Sequence, residues 1–173
     1  MTTVTMLFDT DSIAGRVGDL AAEIAATVPE DVLVVGLLKG SFVFVADLVR
    51  GLDAAGLAPS VEFIRLSSYG ETTESSGKPR RIGGLPEDIA GRAVLLVDDV
   101  IDTGRSMAEA RKLLSDAGAG PIWTCALVDK PCRREIDVSV DFVGFTVDDL
   151  FIVGYGIDFA ERYRHLPYIG VLI

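Results

Sequence analysis

The side chains best equipped for chemistry are concentrated in residues 94–106, Val-Leu-Leu-Val-Asp-Asp-Val-Ile-Asp-Thr-Gly-Arg-Ser. Two adjacent carboxylates, Asp98 and Asp99, follow an apolar run, and Asp102 comes three residues later. Two like charges ~4 Å apart repel by about 4 kcal/mol at an effective dielectric of ~20. The pair must therefore point apart, face water, or share a cation or a polyol. A ribose diol with a magnesium ion would satisfy both acids. The next residues, Thr103, Gly104, Arg105 and Ser106, lead into a helical pattern. A helix N-terminus offers unpaired N–H groups and a positive dipole end. Thr103 and Ser106 add hydroxyl donors, and Gly104 lets the backbone come close to a ligand. That combination is a cradle for a monophosphate.

These groups need a scaffold that holds them at the end of a strand. Residues 93–97 read as a strand buried on both faces, ending where the acids begin, and 32–38 and 122–128 carry the same continuous apolar signature. Residues 61–67 read as a further strand, and shorter apolar pieces lie at 141–145 and 151–153. Ile13, Val17, Leu20 and Ile24 trace a helix over 12–26, with Asp11 or Ser12 as its cap. Val45, Leu48, Val49 and Leu52 trace a second, after a turn at Lys39, Gly40 and Ser41. A third starts near Thr103 and shows Met107, Ala110, Arg111 and Leu114. This alternation predicts an α/β fold with a mostly parallel sheet covered on both sides. In such sheets ligands sit outside the carboxyl ends of the strands. Residues 68–84 contain only Tyr69 and Ile82 as clearly apolar residues. Loops longer than about 12–15 residues are uncommon in compact domains, so the stretch is either a solvated excursion or a mobile lid.

Composition removes several classes. The chain has 173 residues, which fits one domain, and 16 basic against 26 acidic residues give a net charge of −10. That balance argues against a nucleic-acid partner, where affinity comes from neutralised phosphates. It leaves a small anionic ligand open, because local clusters decide that. No apolar run approaches the length of a membrane span, and the first residues lack signal-peptide features, so a cytoplasmic location is expected. Cys125 and Cys132 make no disulfide framework and lack zinc-site spacing. His165 is the sole histidine, which argues against a Ser-His-Asp triad. There is no P-loop motif for a nucleotide hydrolase. A receiver-type signalling domain would place its acid pair after the first strand, not at position 98.

The segment Val-Asp-Asp-Val-Ile-Asp-Thr-Gly-Arg-Ser resembles the phosphoribosyl-diphosphate (PRPP) signature of the type I phosphoribosyltransferases. Leu-Leu-Lys-Gly-Ser, Arg-Leu-Ser-Ser-Tyr-Gly, Leu-Val-Asp-Lys-Pro and Phe-Ile-Val-Gly-Tyr-Gly-Ile-Asp extend the resemblance over most of the chain. They point to the hypoxanthine–guanine branch of purine salvage. The resemblance implies a type I phosphoribosyltransferase fold over 1–173, with a small hood from the terminal segments and a mobile lid at about 68–84. It implies transfer of a 5-phosphoribosyl group from PRPP to N9 of a 6-oxopurine with Mg2+, in a homodimer or homotetramer. By the same resemblance Asp98 and Asp99 hold the ribose hydroxyls and organise magnesium, with Asp158 as a second metal ligand beside the purine. Thr103, Gly104, Arg105 and Ser106 cradle the 5′-phosphate, and Asp102 is the general base near purine N7. Lys39 and Gly40 form the pyrophosphate loop, with Leu38–Lys39 a candidate cis peptide, and Arg164 contacts the same group. Lys130 donates to the 6-oxo group, Phe151 stacks on the purine, and the Ile152 backbone reads the base edge. Ser68 and Tyr69 match the lid dipeptide, with Gly70, Gly77, Gly83 and Gly84 as hinges. Apart from the resemblance, Phe151 reads as a core residue, and Arg162, Arg164 and His165 read as a solvated basic patch. Cys125 reads as buried filler.

Overall fold

Five parallel strands form the centre of the computed structural model, which describes residues 3–66, 81–82, 85 and 88–173. They are β2 (Leu33–Leu38), β3 (Ser60–Leu66), β5 (Val94–Ile101), β6 (Ile122–Asp129) and β7 (Phe142–Thr146). Two-residue β4 (Arg81–Ile82) adds to β3 antiparallel, giving the order β4-β3-β2-β5-β6-β7. The helices are α1 (Thr10–Ala25), α2 (Phe42–Ala54) and α3 (Arg105–Asp116). A second sheet joins β1 (Val4–Phe8), β9 (Ile169–Leu172) and β8 (Ile152–Val153), all antiparallel. It places the two ends of the chain side by side, with Val4 opposite Leu172.

Burial on both faces accounts for the continuous apolar runs. Successive side chains of a strand alternate between faces. Val34, Leu95 and Leu127 pack with Ile13, Leu20, Phe44 and Leu48 from α1 and α2. Leu33, Val35, Leu96 and Ala126 pack on the other face with Met107, Ala110 and Leu114 of α3. Full burial of each such side chain contributes about 1.5–3 kcal/mol. Cys125 is fully buried within the first cluster, as the sequence implied.

Three boundaries differ from the sequence reading. The cap of α1 is Asp9, not Asp11 or Ser12: its carboxylate accepts from the Ser12 backbone N–H at 2.8 Å. Ser12 is already inside the first turn. Strand β5 does not end at residue 97 but continues through both acids, because β6 stays hydrogen-bonded to it as far as the Ile101–Asp129 pair. Helix α3 begins at Arg105 rather than near Thr103, since Gly104 stands at φ +85°.

Candidate active site

Most of the groups singled out in the sequence converge where β2 and β5 end, whereas Lys130, Phe151 and Ile152 line neither the cleft nor the recess there. A cleft of about 670 Å3 brings together Lys39, Gly40, Asp98, Asp99, Thr103, Arg105, Ser106, Asp158 and Arg164. A smaller recess beside it is lined by Asp98, Asp102, Thr103, Gly104 and Ser106. Ser68, Tyr69 and the glycines at 70, 77, 83 and 84 lie outside the described residues.

The acid pair forms the floor. Asp98 is only 8% exposed, which removes the option of facing water. Its Oδ1 accepts the Asp99 backbone N–H at 2.9 Å. Burial pushes the Asp98 carboxyl well above the usual carboxylate range, and the neighbouring Asp99 charge adds to this. Burial also raises Asp99, opposed by hydrogen bonds and by the Arg164 charge. Among the described residues, no Lys or Arg lies within ion-pairing distance of either carboxylate.

One wall is cationic. The Leu38–Lys39 peptide is cis, as the resemblance implied. Lys39 Nζ donates to Glu161 Oε2 at 2.8 Å. Gly40 is pressed against the acid pair: a Cβ there would lie 1.8 Å from Asp99 Oδ2. Behind it, a Cβ on Gly156 would lie 2.3 Å from the Gly40 carbonyl oxygen. Arg164 is not a solvated residue. Its side chain is 19% exposed, with Nη2 2.7 Å from Asp158 Oδ1 and Nη1 donating to the Gly156 carbonyl at 2.7 Å. Asp158 Oδ2 also accepts the Glu161 backbone N–H at 2.8 Å. Arg162 and His165 are exposed.

The opposite wall is the turn into α3. Gly104 is buried, and a Cβ there would lie 2.9 Å from the Ile136 carbonyl oxygen. The Thr103 carbonyl accepts two backbone N–H groups, from Glu135 at 3.0 Å and Ile136 at 3.1 Å. Asp102 is partly exposed and accepts from Arg133 Nε at 3.1 Å.

Beyond β6, Lys130 is 8% exposed and donates through Nζ to the Leu150 carbonyl at 2.7 Å. That bond holds the approach to Phe151. Phe151 is 52% exposed and meets Phe159 edge-on at 5.2 Å, so it is not a core residue. Ile152 is buried in β8.

The sequence reading missed Glu161, Asp129, Arg133 and Arg134. Glu161 sits at φ +62° between Lys39 and Arg164. The two arginines follow Lys-Pro-Cys directly, and a doubled cation in an acidic chain was the available signal.

The donor set fits a hard divalent cation. Magnesium takes oxygen ligands, commonly one or two carboxylates completed by substrate phosphates and water. Asp98, Asp99 and Asp158 supply such oxygens. Two buried acids with raised carboxyl pKa values are groups that a cation relieves. Among the described residues, no three His, Cys, Asp or Glu side chains converge on one point.

The phosphoribosyl transferase domain family matches residues 3–160. The hypoxanthine phosphoribosyltransferase of Escherichia coli K12 is 41% identical over 174 residues, spanning 99% of this chain and 96% of the relative. The hypoxanthine-guanine phosphoribosyltransferase of Aquifex aeolicus is 45% identical over 164 residues, spanning 94% and 90%. Among solved structures, a hypoxanthine-guanine phosphoribosyltransferase from Bacillus anthracis superposes with a TM-score of 0.89 at 34% identity, covering 100% of both chains. With its acid pair, glycine turn and helix N-terminus gathered at the strand ends, the chain belongs to the phosphoribosyltransferase family, in its hypoxanthine–guanine branch.

Proposed function

We propose that this protein transfers the 5-phosphoribosyl group of PRPP to N9 of a 6-oxopurine, hypoxanthine or guanine. The products are IMP or GMP and pyrophosphate. One observation carries the reading: a single cleft is lined by the acid pair, by Lys39, Gly40 and Arg164, and by Thr103, Arg105 and Ser106 at the start of α3. A ribose with its hydroxyls on Asp98 and Asp99 reaches both, the 5′-phosphate to Thr103, Gly104, Arg105 and Ser106, the diphosphate to Lys39, Gly40 and Arg164.

The purine then lies against Phe151, whose exposed ring offers a stacking face. Lys130 spends one N–H on the Leu150 carbonyl, and an ammonium has three donors and no acceptor. It therefore selects an oxo group at C6 over an amino group. The Ile152 backbone reads the base edge. Asp102 takes the proton from N7 as N9 attacks C1′. Asp98 and Asp99, and Asp158 apart from them, are the residues that would hold Mg2+, which when bound offsets the charge of the leaving pyrophosphate. Ser68 and Tyr69 close over a ribosyl centre that water would otherwise trap.

The three-stranded terminal sheet is the hood in this reading. Phe42, Val61 and Phe63 are 38–45% exposed and support a dimer or tetramer that covers them. Among the described residues no helix is long and apolar enough to cross a membrane. We assign the enzyme to the cytoplasm, with PRPP and the purine base as its partners.

The test is a coupled absorbance assay with PRPP, Mg2+ and separate bases. Magnesium-dependent turnover of hypoxanthine or guanine, without adenine or uracil, is the expected result. No turnover with any 6-oxopurine, alongside measurable PRPP binding, would overturn it in favour of a regulatory binding protein.

A further inference from the structure

The segment after β6 wraps the outside of the phosphate turn, and Arg134 joins the two. Its side chain is 16% exposed and ion-paired with Asp129, itself 14% exposed. Asp129 closes the β5–β6 ladder opposite Ile101, and its carbonyl accepts the Val147 N–H at 3.0 Å. It is thus part of the rigid sheet. From that anchor Arg134 Nη1 donates to the Asp102 carbonyl oxygen at 2.8 Å. The same side chain backs Gly104: its Cδ lies 3.0 Å from the position of a Cβ there.

The carbonyl it grips belongs to the peptide between Asp102 and Thr103. That peptide links the proposed general base to the phosphate cradle, so its rotation would turn both at once. Backbone bonds from Glu135 and Ile136 to the Thr103 carbonyl hold the next peptide but leave the Asp102 carbonyl to Arg134. Planar guanidinium geometry is what allows one side chain to hold a carboxylate and a carbonyl together. A lysine ammonium at the end of a flexible stem does not reproduce that fork. Lys130 is the neighbour of Asp129, so the same anchor also fixes the base-reading lysine relative to Asp102.

We propose that Arg134, anchored by Asp129, is a positioning residue that sets the orientation of Asp102 and of the 103–106 phosphate turn. The inference rests on the function proposed above. Misplacement of a reacting group by about 1 Å costs on the order of 10²-fold in rate.

Two variants separate positioning from charge balance. Arg134→Lys keeps a cation beside Asp129 and loses the fork. Its kcat should fall at least about tenfold, with KM for the purine nearly unchanged and Tm close to the parent. Arg134→Gln strands a buried carboxylate and should lower Tm. Adding Asp129→Asn removes the stranded charge, so Tm should recover while kcat stays low. Parental kcat in Arg134→Lys, or recovery of kcat together with Tm in the double variant, would overturn the proposal. Calorimetric binding of IMP supplies a readout independent of turnover, and weaker binding to Arg134→Lys is expected. A parent without purine turnover would defeat the proposed function. Unchanged IMP affinity in Arg134→Lys would then defeat this inference separately.

Discussion

Replacing Gly40 with alanine puts a methyl group where the Asp99 carboxylate stands. The new Cβ would lie 1.8 Å from Oδ2, 2.4 Å from Cγ and 2.7 Å from Oδ1, against an ordinary contact that begins at 3.4 Å. Something must retreat by roughly 1.6 Å, the difference between 3.4 and 1.8 Å. The glycine turn cannot back away, because its carbonyl already abuts Gly156. The carboxylate is the end of a side chain and moves at little cost to the fold, but its position is what the proposed ribose contact requires. A displacement of about 1 Å in a reacting constellation costs about 10²-fold, or about 2.7 kcal/mol at the transition state. Steady-state kinetics with PRPP varied at saturating hypoxanthine should show kcat/KM for PRPP about 100-fold lower. The melting temperature should stay near that of the parent. In an Asp99→Ala background the obstruction is gone, so the same glycine change should add little. A Gly40→Ala enzyme within about threefold of the parent would refute the argument, that margin being the usual context-dependence of such effects. Independent, additive losses would show that Gly40 acts through something other than Asp99.

Three further outcomes follow from other parts of the molecule. Gly15 and Gly18 lie on α1 with nothing within 4 Å of an added Cβ, so alanine at either should gain about 0.8–1 kcal/mol and raise Tm by about 2–4 °C. Lower melting for both, by calorimetry, would contradict the open space around them. Cys132 is exposed, whereas Cys125 is buried with its thiol pushed far up by desolvation. A thiol reagent at neutral pH should therefore titrate one group in the native protein and two in denaturant, and two in both would mean the core is open. Asp98→Asn should raise the Tm of magnesium-free protein at pH 7, by about 2–4 °C for each kcal/mol recovered. The sign follows from a carboxyl raised by burial: its penalty is absent while protonated, grows above the ordinary carboxyl value, and is complete above the folded one. The gain should narrow toward pH 4, and an equal gain at both pH values would locate its source elsewhere.

The sequence carried the parallel core and the position of the acids because both are local patterns. Two-faced burial writes itself as an unbroken apolar run, and β2, β5 and β6 were readable on that basis. The same rule misplaced the end of β5, since it treats Asp98 and Asp99 as a boundary. Strand pairing depends on backbone groups, and β6 supplies them up to Ile101 whatever the side chains are. Strands β1 and β9 were not read as strands. Each is short, β1 is largely exposed, and the partner of each lies at the other end of the chain. Nothing local encodes that pairing. Phe151 shows the opposite failure. An aromatic beside Ile152 and Val153 reads as core, yet it stands half-exposed, its ring edge-on to Phe159, with the open face that the proposed stacking on a purine needs.

Charge is uninformative as a total and informative locally. A net charge of −10 argues against a nucleic-acid partner but leaves a small anion open, and the proposed substrate carries a phosphate and a diphosphate. Screening is the reason: at physiological ionic strength charges more than about 8 Å apart scarcely interact across solvent. Only the groups at the cleft count, and there Lys39, Arg105 and Arg164 face the space above the acids. These cations have carboxylate partners, Glu161 for Lys39, Glu135 for Arg105 and Asp158 for Arg164. A diphosphate entering the cleft exchanges one anionic partner for another instead of meeting bare cations. The Lys39–Glu161 and Arg105–Glu135 pairs are exposed and worth little in water, so exchanging those partners costs little. The acidic side chains that lower the net charge near the site are thus the ones paired with its cations. This is why a count of charges along the chain could not reveal an anion site, whereas the spacing around Asp98 could.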